Sequence, residues 1–561
     1  VMRRKVKQID RALAQRFGKK ENVILWHISN EFGGNFKDST CHCEKCQKKF
    51  REWLKNKYGT LDKLNASWWT GFWSHKYTDW DQIHSPSPQG ECLTTALTLD
   101  WKRFSSEQIT DFCKMEADAL REFSDLPTTT NMMGFFKGVD YNTLKNAVDI
   151  ISWDNYPFWH ERKDEVPEAV YTSAGNALMR SLKREPFLLM ESTPSSVSWR
   201  SHNPLKRPGM HMLSSMQAVA HGADSVQYFQ WRKSRGGYEK FHGAVVDHKN
   251  GSDTRTFREV TEVGKRLEHL SGGIKTFLNR AKAAIVFDWE NWWAVEDTSG
   301  PRQDLDYVKC VTDHYRAFWE CGLDVDFVSM DDDFSGYRLL AAPLNYMYKK
   351  GYSEKVRAFV EAGGTYVTTY FSGIVNETDL CFIGRHPLED VLGVVSEEMD
   401  APSKEFENCF DYNGKEYPAY TMCDIVHAKA KTEIYSVYKK DFYKGCPVVT
   451  ENAYGSGRAY YLSAESDQRF LSAFYKDVFI KAGLLKEASS ADRILKRLPH
   501  GVTAAKREDE TGRKGLVFVM NFNDRQVRLE GIGKQIDAES GEVYENVLEM
   551  APFSCTILKL K

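Results

Sequence analysis

The chain has 561 residues, 42% hydrophobic and 27% charged, with a formal net charge of -2, which describes a globular protein long enough for two or three domains. That near-neutral balance gives no electrostatic reason to expect a nucleic acid or an acidic membrane as partner, and no run of about eighteen apolar residues marks a membrane span. The 12 cysteines are scattered apart from one cluster, a usage that suits a reducing compartment, the cytoplasm, and not a disulfide framework.

The amino-terminal stretch VMRRKVKQIDRALAQRFG reads as a charged helix and not as a signal peptide. ILWHISNE follows, and Ile24, Leu25, Trp26 and Ile28 have the character of a strand covered on both faces, broken by Gly33-Gly34. Glu31 therefore sits at the carboxyl-terminal edge of that strand. Further apolar runs occur at PTTTNMMG, DIISWDNYP, PFLLMES and ADSVQYFQW, separated by amphipathic helical patterns such as FSSEQITDFCKMEADALREF. Repeated βα units without a Rossmann glycine fingerprint predict a (β/α)8 TIM barrel, whose active site lies at the carboxyl ends of its strands. The polar residues at those ends are Asn30-Glu31, Asn131, Asp154-Asn155-Tyr156, Glu191 and Gln230-Trp231-Arg232. Only five such units are found in residues 1–277, so this region is expected to supply strands four to eight, with three βα units absent from the front.

From residue 278 to 487 the runs AKAAIVFDW, LDVDFVS, YRLLAAPLNYM and GGTYVTTYFSG alternate with helical patterns such as SEKVRAFVEA. They predict a smaller α/β domain with parallel strands, similar to a glutamine-amidotransferase fold but without a Cys-His-Glu set. Residues 488–561 hold short alternating strands only, GLVFVMNFN, RQVRLEG, KQIDAESG and FSCTILKL, a small antiparallel β domain. Gly455-Ser456-Gly457 reads as a hairpin turn and not a phosphate loop, since no Lys-Ser/Thr follows. Asp331-Asp332-Asp333 reads as a solvated turn, and Cys321 as a core thiol.

Two carboxylates at barrel-strand ends, Glu31 and Glu191, are the minimum equipment for acid and nucleophile work on a glycosidic bond. A salt bridge at the barrel mouth is the bland alternative. Trp73, Tyr156, Trp199 and Trp231 tip the balance, because sugars lay their C–H faces on aromatic rings. A second signal is Cys41-His42-Cys43-Glu44-Lys45-Cys46. Cys41, Cys43 and Cys46 suit a structural zinc site by thiolate softness and spacing, short of one ligand, against the alternative of three reduced surface thiols. A nucleic-acid zinc finger is unsupported, since no second ligand pair follows.

WHISNEFGG with the following CHCEKCQKKFREWLKNKYGTLDKLNASWWTGFWSHKYTDWDQI resembles the acid/base region of the glycoside hydrolase family 42 β-galactosidases. The likeness continues through SWDNYPFW, FLLMESTPSSVSW, FQWRKSRGGYEKFHGAVVDHKNG, AIVFDWENWWAVE and EAGGTYVTTYFSGIVNE. The resemblance implies that Glu31 is the acid/base and Asn30 the amide reading the sugar 2-hydroxyl. It further implies that Glu191 is the nucleophile, oriented by Tyr156. Trp73 and Trp199 would wall the galactose subsite, Glu239 and His242 would bind its hydroxyls, and Trp231 would stand at the eighth strand; Gly237-Tyr238 departs locally from the family pattern. It also implies a fourth cysteine ligand lying upstream, a homotrimer built by the middle domain, and small β-galactosides as substrates of a retaining exo-enzyme. An α-L-arabinopyranosidase of the same family and a non-catalytic fragment keeping the scaffold are the alternatives. Retention requires the two carboxyl groups to stand about 5 to 5.5 Å apart.

Overall fold

The computed structural model describes residues 1–34, 40–87, 93–274, 277–485 and 498–560. Five strands pair in chain order in one sheet: β1 (Trp26–His27), β2 (Thr128–Met132), β3 (Ile150–Asp154), β4 (Phe187–Glu191) and β5 (Ala223–Val226). Every neighbouring pair is parallel. The helices Thr95–Arg121, Val166–Lys183 and Met210–Ala220 provide the crossovers into β2, β4 and β5, and Arg255–Ile274 follows β5. This is the strand-and-helix arrangement of a TIM barrel. All five β2 residues are buried although three are threonines. Their hydroxyls are tolerated where the neighbouring strand supplies partners, as Ile150 O and Ser152 Oγ do for Thr129 Oγ1, each at 2.8 Å.

The first strand departs from expectation. Only Trp26 and His27 are in strand conformation, and Ile24 is 75% exposed. β1 is the end strand of this sheet and pairs with β2 alone, so its far side is not covered as a central strand would be. The Trp26 indole N–H is satisfied instead by Ser124 Oγ at 2.9 Å.

In the second unit, Ala283–Val286, Val325–Val328, Leu339–Ala342, Thr365–Thr369 and Gly457–Leu462 are joined in parallel. Pro447–Tyr454 and Glu433–Val437 are added antiparallel at one edge, and Gly455-Ser456 form the two-residue turn between Tyr454 and its partner Gly457. The expected parallel strands are present, and the structure adds antiparallel ones that the apolar runs did not reveal, among them the 14-residue strand Lys415–Ala428, which pairs with Val394–Asp400 and Asn408–Tyr412. The sequence carried the signal for the second pairing: Asn413-Gly414, with φ of 49° and 74°, is the Asn-Gly hairpin turn.

The third unit pairs Val502–Glu508, Gly515–Asn521 and Ser554–Lys559 antiparallel. Arg507, fully buried, ties it to the barrel by donating to Phe277 O at 2.9 Å, Val219 O at 3.2 Å and Ala223 O at 3.3 Å. A larger ionic junction joins barrel to second unit. Arg103, on the helix Thr95–Arg121, donates to Asp100 Oδ1 at 2.9 Å, to Glu290 Oε2 at 2.6 Å and to Glu377 O at 2.7 Å. Lys57 and Tyr58 close on the same Asp100 at 2.5 and 2.7 Å. Lys349 meets Asp288, Glu290 and Asp331 at 2.9, 3.1 and 3.1 Å.

Candidate active site

The polar ends of β1 to β4 converge on Asn131, which is 1% exposed at the end of β2. After β1 the backbone turns through Ser29 and Glu31, both at φ 42°. For residues other than glycine this conformation costs on the order of 1–3 kcal/mol and collects at functional sites. The turn is held at two points: Glu31 N donates to Asn131 Oδ1 at 2.9 Å, and Gly34 N donates to Glu31 O at 2.9 Å. Gly33, at φ 99°, must lack a side chain, since a Cβ would lie 2.8 Å from Val139 Cγ2.

Because Asn131 Oδ1 faces the Glu31 amide, its Nδ2 must face the acceptors opposite. These are Asn30 Oδ1 at 3.0 Å, Asp154 Oδ2 at 2.6 Å and Glu191 Oε1 at 3.3 Å. One oxygen from each of Glu31, Asp154 and Glu191 lies within 4.8 Å of the others. The expected proximity of Glu31 and Glu191 is therefore present, and a gap near 9 Å, which would admit a water for inversion, is not. Tyr156, in the loop after β3, donates its hydroxyl to Glu191 Oε2 at 2.6 Å. Burial raises the Glu191 pKa; the Tyr156 hydrogen bond opposes it, while the charges of Glu31 and Glu239 add to the rise. Asp154 goes further, up to about 9, through burial first and then the charges of Glu191 and Glu31.

An aromatic wall stands on one side. Trp199 meets Tyr156 edge-on at 4.9 Å and stacks on His242 at 5.0 Å. His242 is fully buried, its Nε2 3.0 Å from Phe229 O, and its Nδ1 has no hydrogen-bond partner among the described residues.

The model of the family described as beta-galactosidase, glycoside hydrolase family 42, matches residues 1–270, and that of the beta-galactosidase trimerisation domain matches residues 281–485. Beta-galactosidase BglY of Alicyclobacillus acidocaldarius is 47% identical over 537 residues, covering 93% of this chain and 75% of its own. The chain belongs to the glycoside hydrolase family 42 β-galactosidases. Beta-galactosidase Pbg of Clostridium perfringens is 43% identical, covering 100% of this chain and 82% of its own. Among solved structures, the cold-adapted β-galactosidase from Rahnella sp. R3 superposes with a TM-score of 0.93 at 46% identity, covering 99% of this chain and 81% of that one.

Within this family fold, the residues predicted from sequence divide into two groups. Asn30, Glu31, Tyr156, Glu191, Trp199 and His242 are brought together, and Glu239 is near enough to act electrostatically on Glu191. Trp73 and Trp231 make no ring contact with Trp199, Tyr156 or His242 among the described residues. Trp73 is 65% exposed and stacks on Phe72 at 4.7 Å, while Trp231 is 64% exposed with its ring edge-on to Phe257 at 6.5 Å. Asn131 and Asp154 stood among the strand-end polar residues without a role; the hydrogen bonds give them one.

Cys41, Cys43 and Cys46 also converge, their sulfurs within 4.8 Å of one another. Cys43 caps the helix Glu44–Tyr58. Hydrogen bonding from the Cys46 backbone, then from the Cys41 and Cys46 side chains, draws its thiol down to about 7, while burial first and then the two neighbouring thiols push Cys46 up to about 12, so one thiolate is favoured at a time without a metal. His42 faces elsewhere, stacked on Trp101 at 5.2 Å with Nε2 3.1 Å from Thr40 Oγ1. Three soft donors at this spacing fit three corners of a zinc tetrahedron.

Proposed function

We propose that the chain is a retaining β-galactosidase that releases terminal β-D-galactosyl residues from small galactosides, with Glu31 as acid/base and Glu191 as nucleophile. The observation that carries this reading is the pair of carboxylate oxygens within 4.8 Å at the ends of β1 and β4. Protonated Glu31 donates to the glycosidic oxygen as Glu191 attacks the anomeric carbon, breaking the bond to the leaving alcohol and forming a galactosyl ester. Glu31, now a carboxylate, takes a proton from water, which opens the ester and regenerates Glu191. Tyr156 and Asn131 solvate the Glu191 anion in place of water, so it can ionise despite its burial. Trp199 offers a ring face to the sugar, His242 and Glu239 face its hydroxyls, and Asn30 reads the 2-hydroxyl. Trp73 and Trp231 have exposed rings available to substrate or to another subunit.

Hydrolysis of a chromogenic β-galactoside tests the activity, with Glu191→Ala as control, and proton NMR of the first product tests the stereochemistry. β-Galactose appearing before mutarotation is expected; initial α-galactose would overturn the double displacement.

The oligomer is proposed to be a homotrimer formed through residues 281–485, in line with the trimerisation-domain match. Cys41, Cys43 and Cys46 are proposed to hold a structural zinc, which would fix the loop ahead of the helix Glu44–Tyr58 and take no part in bond breaking. Chelation is then expected to lower Tm and release about one zinc per chain by metal analysis, and Cys43→Ser to remove both effects. Eleven cysteines are free among the described residues, which supports assignment to the cytoplasm.

A further inference from the structure

The third carboxyl of the site, Asp154, has no part in the double displacement, yet it is the most deeply buried of the three, at 7% exposure. Asp154 Oδ2 accepts from Asn131 Nδ2 at 2.6 Å. Its Oδ1 is buried and receives no hydrogen bond among the described residues. The ionisable groups facing it are Glu31 from the end of β1, Glu191 from β4, Tyr156 from the loop after β3 and Tyr141 from the helix Tyr141–Leu144. The two carboxylates are acceptors, Tyr156 already donates to Glu191, and the Tyr141 hydroxyl, which accepts from Met133 N at 2.9 Å, makes no hydrogen bond to Oδ1. An unprotonated Oδ1 would be an uncompensated buried charge, whereas a protonated carboxyl has an acceptor close by, since one oxygen of Glu31 and one of Asp154 lie within 4.8 Å of each other.

We propose that Asp154 is a positioning residue that remains a neutral carboxylic acid during turnover and donates its own proton to one oxygen of Glu31. With that oxygen occupied as an acceptor, the proton that Glu31 delivers must sit on its other oxygen, which then serves the glycosidic bond. Asn131 completes the arrangement. It holds Asp154 Oδ2 as an acceptor, which leaves Oδ1 as the hydroxyl, and it fixes the Glu31 backbone through Oδ1. The upward displacement of the Asp154 pKa, by burial and by the neighbouring Glu191 and Glu31, keeps the proton in place at neutral pH. The arrangement resembles a carboxylic acid kept neutral so that it can serve as a hydrogen-bond donor. The inference rests on Glu31 and Glu191 being the catalytic pair.

The test compares Asp154→Asn and Asp154→Ala with the wild type in two readouts. Asn can still accept from Asn131 and donate to Glu31, so kcat is expected to stay within about threefold and the acid limb of the kcat/KM profile to stay in place. Ala loses the donor to a charged group, and kcat is expected to fall about 10- to 100-fold with KM little changed. If Asp154 were ionised, Asn would remove a negative charge beside both catalytic carboxyls and move the profile down by about one pH unit or more. That shift, or an Ala variant with wild-type kcat, overturns the proposal.

The second readout is Tm against pH, which needs no catalysis and can be taken on either variant should the other fail to fold. A carboxyl whose folded pKa is raised stabilises most at low pH and loses that contribution as pH climbs to the folded value. Both variants are expected to gain Tm relative to wild type steadily from about pH 4 to about pH 9. A flat difference overturns the protonated state. That slope in a protein without galactosidase activity upholds the protonated state and refutes the catalytic assignment instead.

Discussion

The barrel rim and the junction between barrel and second unit each gather buried acids, and the rim settles the charge in the opposite way to Glu290 and Asp100 of the junction, although burial raises Asp288 there despite Lys349 at 2.9 Å. At the junction, burial alone would raise Glu290, but Arg103 and Lys349 outweigh it and hold the group down to about 2. Burial likewise opposes ionisation of Asp100, and Arg103 and Lys57 still keep it below the ordinary aspartate value. At the rim, Asp154 and Glu191 meet neutral donors, Asn131 and Tyr156, and both are raised. A buried acid facing a cation is a structural fastening; a buried acid facing only amides and hydroxyls keeps a proton equilibrium within reach of solution pH.

The comparison breaks most clearly at the nucleophile. Glu191→Ala is expected to lower kcat on the order of 10⁴-fold or more, since no other group can form the ester. Its Tm should equal or exceed that of the wild type, because a carboxyl whose ionisation is opposed first by burial is withdrawn. A large Tm loss together with the activity loss would mean that the rim acids are structural. Arg103→Met is the converse. It leaves Glu290 and Asp100 short of their main counter-ion, at a cost of about 3–5 kcal/mol. The Tm should fall steeply while the kcat of the remaining folded enzyme stays close to wild type. With several domains, the measurement is best read as the first thermal transition.

Tyr156→Phe sharpens the rim side. Its hydroxyl bond to the Glu191 anion is worth about 1.5–3 kcal/mol in the usual range for charged acceptors, so kcat/KM should fall about 10- to 100-fold. The Glu191 pKa should rise further, moving the acid limb of the pH profile upward. An unchanged limb would show that the bond does not govern ionisation.

Much of this was legible in the sequence, and the misses have physical causes. Glu31 and Glu191 follow apolar runs directly, so their place at strand ends could be read from the pattern alone. The roles of Asn131 and Asp154 could not, because they depend on partners 23 to 101 residues away that only the sheet brings together. Ile24 misled because an apolar run looks the same whether its strand is central or terminal in a sheet. Where the rings of Trp73 and Trp231 come to lie could not be read either, because it depends on loop conformation, here left-handed at Trp73 with φ 50°. The junction was invisible for a related reason: Lys57, Arg103, Glu290 and Lys349 carry no local pattern that sets them apart from other surface charges.

The smallest expected effect is also the most direct contrast, since it asks the two clusters to titrate against each other. Glu290 is depressed from 4.5 to about 2, so its contribution to stability is fully present above the unfolded value and is lost as pH falls from there towards the folded one. Glu191 is raised above 4.5, so its contribution is present below that value and is lost as pH rises through the folded pKa. Tm measured from about pH 3 to about pH 8 should therefore give opposite slopes. The deficit of Glu290→Gln against wild type should be widest near neutrality and shrink in acid, as the wild type itself loses the ion pair. Glu191→Gln should match wild type in acid and gain on it by a few degrees towards neutrality. Parallel curves for the two variants would mean that both acids face the same kind of partner, and the distinction between junction and rim would fall.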